Sequence, residues 1–232
     1  MSNPAPPHIP ILRLGEPYTS VEQKEVCALG SGEVVARLSM GNAGLVRRDA
    51  ARFAAARAAL ASYDCEELIA LSADAGRRFM QDALPLGDGA TQSPDDYVRQ
   101  LSSTSGLPHT LVRKNMAKVH DALTHVGDIL RGLTRGLPPD VLDDGVGDLH
   151  GLPVSFFPTT DTLGVVMPSN SPGVNALWLP ALALKTPVIL RPGGEEPWTP
   201  WRIIQAFYAA GLPREALGFY PSDHEGAAAV MD

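Results

Sequence analysis

Three short segments hold the residues best suited to chemistry: Pro168-Ser169-Asn170-Ser171-Pro172-Gly173, Arg191-Pro192-Gly193-Gly194-Glu195 and Pro221-Ser222-Asp223-His224-Glu225. Each follows an apolar run that reads as a strand: Leu163-Gly164-Val165-Val166-Met167, Val188-Ile189-Leu190 and Leu217 to Tyr220. Together they offer an amide donor (Asn170), a guanidinium (Arg191), a carboxylate (Glu195) and small residues that permit close backbone approach. Near Ser222 a helix start adds N–H groups suited to a phosphate. Open α/β sheets bind ligands outside the carboxyl ends of their strands, so this inventory suits a nucleotide. The competing reading is that Pro and Gly only close tight strand-to-helix turns. Neither G-x-G-x-x-G nor a P-loop is present, so the standard dinucleotide and triphosphate fingerprints are missing.

Other polar groups read as structural. Cys27 and Cys65 are the two cysteines and have no CxxC spacing. Cys65 falls in the first turn of an expected helix, where a thiol pKa can drop, but a structural thiol is the better reading. His120 and His125 are about 140° apart around a helix, which is wrong for a metal pair. Asp140, Asp143, Asp144 and Asp148 lack the order of a calcium loop and read as a solvated linker. Trp178, Trp198 and Trp201 are expected in a core or an interface.

The chemistry-bearing segments need a frame. Residues 1–20 carry Pro4, Pro6, Pro7, Pro10 and Pro17 and are expected as an extended arm outside the sheets. Residues 21–150 read as mainly helical. After a strand over Glu33 to Leu38, Asn42 caps a helix from about Ala43 to Ala61. Asp64 with Glu67 has capping-box spacing ahead of the stripe Leu68, Leu71, Ala75, Phe79, in a helix ending near Leu84. A polar loop from Gly87 to Ser93 leads to a shorter helix near Asp95 to Ser103. A 3.6-residue repeat then runs from Leu111 to Leu133, and a soft boundary falls between Asp140 and His150.

Residues 151–232 alternate strand and helix. One helix is expected over Val174 to Leu184. Thr199 as cap, Pro200 inside and Gly211 beyond bracket a second, and Ser222 with Glu225 can box a third. Such alternation implies parallel strands with right-handed crossovers. The fold class is α/β: a helical N-terminal segment followed by a partial Rossmann-like parallel sheet.

Composition limits the partners. The 232 residues are 44% apolar and 19% charged, with 26 acids against 19 bases and a net charge of −7. Without a Lys/Arg block, nucleic acid is a poor partner. The 22 Gly and 21 Pro follow no fixed period, which excludes collagen and wholesale disorder. Thr162 to Leu184 is uncharged, yet Pro168, Pro172, Pro180 and the polar residues between them do not suit a membrane span. With no leader at its start the chain reads as cytoplasmic, with free thiols.

Residues Leu163 to Asp232 resemble the start of the coenzyme-binding domain of the aldehyde dehydrogenase superfamily. There a strand leads into P-W-N-F-P, an apolar helix, a strand ending in K-P-[SA]-E, a T-P-anchored helix, a G-L-P turn and a short strand. Here the same order reads P-S-N-S-P-G, K-T-P-V-I-L-R-P-G-G-E, W-T-P-W, G-L-P and L-G-F-Y-P-S-D-H-E-G over about seventy residues, with a looser fit upstream. The resemblance implies NAD or NADP as cofactor. By position Asn170 would be the oxyanion-hole amide. Arg191 replaces the Lys that holds the adenosine ribose, and a guanidinium suits either hydroxyls or a 2′-phosphate. The family's ribose-binding Glu falls on Gly194, with Glu195 displaced by one. Ser169 replaces a Trp, Met167 and Pro168 would line the nicotinamide side through backbone, and the helix near Ser222 would approach the pyrophosphate.

The family's catalytic Cys, general-base Glu and F-T-G-S-x-x-x-G segment have no counterpart in this sequence, and Cys65 is no substitute. The expectation is therefore the N-terminal portion of an NAD(P)-dependent aldehyde dehydrogenase-like oxidoreductase, acting through a Cys thiohemiacetal whose nucleophile lies outside this chain. An acyl-CoA reductase on the same scaffold is the alternative, since the N-S-P-G and P-W-T-P segments also resemble fatty acyl-CoA reductases of the bacterial luminescence type. A non-catalytic cofactor-binding or assembly fragment is the third reading. The expected partners are a small aldehyde or acyl thioester, and either further copies of the complete enzyme or a C-terminal catalytic partner chain, because a three-stranded sheet would leave an apolar edge.

Overall fold

The computed structural model describes residues 5–232, so Pro4 of the expected arm lies outside them. The rest of that stretch is not an arm. His8–Ile9 (β1) and Ile11–Arg13 (β2) are strands of two different sheets, and Glu16–Tyr18 (β3) folds back on β2. Proline is tolerated because Pro10 sits between strands and Pro17 lies on β3, the last strand of its sheet. The β2–β3 turn, Leu14-Gly15, has positive φ at both residues (48° and 81°), the geometry of a two-residue hairpin loop. A Cβ on Gly15 would stand 2.3 Å from the Arg214 carbonyl oxygen. Gln23–Cys27 (β4) and Val34–Ser39 (β5) pair antiparallel, and β1 adds parallel to β5.

Asn42 caps Ala43–Ala50 (α1), its side chain accepting from Leu45 N at 2.8 Å. The expected single helix to Ala61 breaks at Ala51–Arg52, and Phe53–Ala61 (α2) follows. The break lets α1 pack on the C-terminal helix while α2 packs on the Arg214–Ala216 turn. Cys65–Gln81 (α3) starts in the Asp64–Glu67 capping box and buries Leu68, Ala75 and Phe79. The expected polar loop after it is a hairpin, Leu84–Gly87 (β6) with Ala90–Gln92 (β7). Ser93 boxes Pro94–Ser105 (α4). The long repeat forms two helices, His109–Thr124 (α5) and Val126–Leu133 (α6), which break at His125 and bury Val112, Met116, Val119, Leu123, Val126 and Leu130. Leu111 and Leu133 face solvent.

The aspartate-rich linker is more structured than expected. Val141–Asp144 (α7) leads into a hairpin, Val146–Leu149 (β8) with Leu152–Ser155 (β9). Asp143 accepts from Cys65 N at 3.1 Å and pairs with Lys185 at 2.5 Å.

Leu163–Val166 (β10), Val188–Arg191 (β11) and Leu217–Phe219 (β12) run parallel in a five-stranded sheet of order β10-β11-β12-β2-β3. β12 meets β2 antiparallel through Phe219 and Leu12. One edge of the expected three-stranded sheet is thus covered by the chain's own N-terminal hairpin. β10 pairs only with β11 among the described residues, and is mostly half-buried. The first crossover is a 3₁₀ turn, Pro172–Leu177, followed by the single turn Pro180–Ala183 (α8). Pro180 lacks the N–H that one continuous helix would need. Trp198–Ala210 (α9) ends at Gly211 in the left-handed region, and His224–Met231 (α10) is capped by Asp223 rather than by Ser222.

One apolar core runs from α3 and α5 through α9 to the sheet, using residues on both sides of position 150. Arg202 of α9 sits wholly inside it and donates to Phe79 O (2.9 Å), Asp82 O (2.7 Å) and Gln92 O (2.7 Å). The bonds to Phe79 O and Asp82 O satisfy carbonyls that the end of α3 leaves unpaired, and the third takes a carbonyl on β7. Burial lowers the Arg202 pKa to about 10, which still leaves it charged at neutral pH. No helix among the described residues is long and apolar enough to cross a membrane.

Arg202→Met keeps the volume but strands three buried carbonyls, so it is expected to lower the unfolding free energy by roughly 3–5 kcal/mol in urea titration. A loss below about 1 kcal/mol would mean that the carbonyls find other partners.

Candidate functional site

The carboxyl ends of β10, β11 and β12 bring the three chemistry-bearing segments together. Met167 is buried, and its N–H donates to Arg191 O at 2.9 Å, continuing the β10–β11 ladder past the strand end. Beyond it Pro168 and Asn170 are exposed and Ser169 is half-buried. The loops after β10 and β11 touch backbone to backbone: a Cβ on Gly193 would lie 2.5 Å from Pro168 O and 2.6 Å from Ser169 Cα. Only glycine permits that approach. Glu195 N donates to Ser169 Oγ at 3.4 Å, a second tie between the loops.

Arg191 does not stand free. Its Nε and Nη2 donate to Ser222 O at 3.1 and 2.9 Å, bracing β11 to the segment after β12. Burial lowers its pKa, against the carboxylates of Glu195 and Asp223. Nη1 makes no hydrogen bond to protein among the described residues. Ser222 is 4% exposed and its hydroxyl has no partner among the described residues. The segment after β12 is also pinned by Gly41 N, which donates to Pro221 O at 2.7 Å. The expected Ser222–Glu225 box is replaced by Asp223, whose Oδ1 accepts from Gly226 N at 2.9 Å. That carboxylate occupies the start of α10, so the pyrophosphate role expected for the helix near Ser222 is not favoured there.

Gly194 and Glu195 meet a residue that sequence reasoning missed. Lys24 of β4 places Nζ 2.5 Å from the position of a Gly194 Cβ, and 3.4 Å from Glu195 Oε1. The Ser169 hydroxyl, with help from Lys24, holds the Glu195 carboxyl below its ordinary pKa. Lys24 and Glu195 are 171 positions apart and no local pattern announces the pair.

Glu196 was also missed. Its Oε1 accepts from Thr199 N (2.8 Å) and Oγ1 (2.6 Å), so the carboxyl, not Thr199, caps the first turn of α9. Tyr97 of α4 bonds Thr199 Oγ1 at 2.7 Å, and Thr104 Oγ1 donates to Glu195 O at 2.7 Å. Glu196 is wholly buried, and burial pushes its pKa from 4.5 up to about 8. The signal available was a Glu three residues before a helix-starting Thr.

The remaining candidates stay outside this cleft. Cys65 is buried, and burial pushes its thiol up to about 11, the reverse of activation by a helix start. His120 and His125 bind Asp121 and its carbonyl. Among the described residues no three metal-ligating side chains cluster. Asn175, near the candidate Asn170, is the structural one: it is buried and bonded to Pro172 O and Trp178 Nε1.

No family model and no curated protein matches the sequence. Solved structures do. Proline utilization A from Bdellovibrio bacteriovorus superposes with a TM-score of 0.78 at 15% identity, over 98% of this chain and 22% of that one. Methylmalonate-semialdehyde dehydrogenase from Oceanimonas doudoroffii gives 0.75 at 17%, over 96% and 43%. Betaine aldehyde dehydrogenase from Staphylococcus aureus, in complex with NAD+, gives 0.69 at 18%, over 96% and 42%. The chain thus spans less than half the length of each of these structures. At such identities the likeness establishes the fold, which is that of aldehyde dehydrogenase structures.

Glu196 makes stability depend on pH. Its raised pKa means that the native state keeps a proton which the unfolded chain releases, so its contribution is full below about 4.5, falls as pH rises and levels off above about 8. Glu196→Gln should flatten that slope, gaining on the parent by up to about 1.4 kcal/mol per pH unit across the window. Urea midpoints between pH 5 and pH 8 that move in parallel would remove Glu196 as the cause.

Proposed function

We propose that this chain forms the NAD(P)-binding part of an aldehyde dehydrogenase-like oxidoreductase and supplies its oxyanion donor, with the thiol nucleophile carried by a segment outside these residues. The observation that most supports this is the backbone contact at Gly193, which makes the loops after β10 and β11 one cradle nearly bare of side chains. It lies at the carboxyl ends of parallel strands, where α/β sheets take ligands. A dinucleotide fits the groups around it: the free Nη1 of Arg191 and the Ser222 hydroxyl, which has no partner among the described residues. The similar betaine aldehyde dehydrogenase structure holds NAD+.

When bound, the cofactor would supply a hydride acceptor. The chain's own residues would do the rest. Arg191 and Gly194 would hold the adenosine end, while Met167, Pro168 and Ser169 would present backbone to the nicotinamide side. Asn170 is exposed and makes no hydrogen bond to protein among the described residues, so its amide can donate to a substrate oxygen. As a thiolate adds to an aldehyde, that oxygen takes negative charge, and a fixed donor lowers the barrier. The same donor would serve an acyl thioester. Cys65 cannot be the thiolate, being buried with a raised pKa. Cys27 is exposed at the end of β4. A further strand beside the open edge of β10 would complete the sheet, contributed by the rest of the enzyme or by a partner chain.

In the protein that carries the thiol, Asn170→Ala is expected to lower kcat for aldehyde oxidation by about 10²–10³. An unchanged kcat would remove Asn170 from the site. Gly193→Val should force the two loops apart and weaken NAD(P)+ binding to this chain by at least about tenfold in calorimetry. Equal affinity in parent and variant would contradict the cradle.

A further inference from the structure

We infer that a second pocket, walled by α9 and the N-terminal strands and sharing no residue with the cradle, binds a short zwitterionic peptide with an apolar side chain. The cavity, about 360 Å³, lies where β2, β3 and the β6–β7 turn meet α9. That volume suits a small ligand. Its floor is apolar except at one point. Leu12 and Trp201 are buried, and Trp201 Nε1 is spent on Pro85 O at 2.9 Å, so the indole offers only carbon. The rings of Pro10, Pro17 and Pro85 extend the apolar wall. Gln205, one turn along α9 from Trp201, is the exception. It is 7% exposed and lines the cavity, and its side chain makes no hydrogen bond to protein among the described residues. Native proteins rarely leave so buried an amide unsatisfied, so a polar ligand group is expected against it.

The rim supplies charge of both signs. Asp88 stands on the β6–β7 turn, which packs so closely on His8 O that Gly87 has no room for a Cβ. Arg214 lies against the β2–β3 turn, where Nη2 donates to Gly15 O at 3.3 Å, and its guanidinium carbon sits 4.3 Å from the centre of the Tyr208 ring. Both line the cavity, and neither forms an ion pair among the described residues. Glu16 and Glu215 also lie near Tyr208, but they do not pair with Arg214. His8, at the Asp88 side, is bonded to Ser39 Oγ at 2.8 Å. Asp88 disfavours an anionic ligand and Arg214 a cationic one, so a ligand with both charges and an uncharged middle fits best. A dipeptide has those parts. Its ammonium meets Asp88, and its carboxylate meets Arg214. Its peptide group can exchange hydrogen bonds with the Gln205 amide, which carries donor and acceptor side by side. An apolar side chain covers Trp201 and the prolines.

The test is calorimetry of the full chain with leucyl-alanine, with N-acetyl-leucyl-alanine, which lacks the ammonium, and with free leucine, which lacks the peptide group. Leucyl-alanine is expected to saturate one site and to bind at least about tenfold tighter than either of the others. Gln205→Leu removes the amide but keeps a filled floor, so the melting temperature should hold or rise while leucyl-alanine binding weakens at least about tenfold. Asp88→Asn suits the left-handed backbone at that position (φ 47°) and should bring leucyl-alanine to within about twofold of its N-acetyl form. No saturable heat with leucyl-alanine means that water alone fills the cavity, and overturns the site. Leucyl-alanine binding that Gln205→Leu leaves unchanged, or that N-acetylation leaves as tight, overturns it as well.

Discussion

A guanidinium bonded to three main-chain carbonyls joins the two halves of this chain. Arg202 rises from the centre of α9, the helix that leaves the cradle, and ends on Phe79 O, Asp82 O and Gln92 O, at the end of α3 and on the following hairpin. A cation suits a helix C-terminus, where carbonyls lack partners and the dipole is negative. The rings of Phe79 and Tyr97 flank it at 5.6 and 5.9 Å, so its charge is solvated by dipoles and aromatic faces. With that contact fixed, α9 has one orientation on the helical segment. The loop before α9 therefore has one position at the strand ends.

The cradle depends on that placement. The turn from β11 to α9 is held from the helical side by Thr104 on Glu195 O, Tyr97 on Thr199, and the Glu196 cap. From the sheet side it is held by the Gly193 approach to Pro168 and by Arg191 on Ser222 O. These ties leave the candidate groups little internal work. Asn170, Arg191 Nη1 and Lys24 face solvent or a weak partner, whereas the groups behind them are bonded to protein, apart from the Ser222 hydroxyl and Glu196 Oε2. Groups held ready on a rigid frame lose less freedom on binding.

Much of this was legible in the sequence, and what was not has physical reasons. The three parallel strands, the Asn42 and Asp64 caps and the Gly211 stop follow from local patterns, and local patterns decide them. The proline-rich start misled because proline is excluded only where the ladder needs its N–H, and Pro10 and Pro17 occupy positions where it does not. The continuous helices expected over 43–61 and 111–133 break where tertiary contacts redirect them. At the site, Asn170, Arg191 and the glycines are placed by motifs on loops after strands. Lys24 and Glu196 are not: one acts across 171 positions, and the other looks like any surface carboxylate until burial is known.

The account stands most directly on where a dinucleotide touches this chain. Hydrogen exchange by mass spectrometry, with and without saturating NADP+, reads that contact without requiring turnover. Slowed exchange centred on the amides of residues 167–173 and 191–196 is the predicted result. Protection centred elsewhere, or none at these loops while the ligand is bound, would contradict the cradle as the binding site.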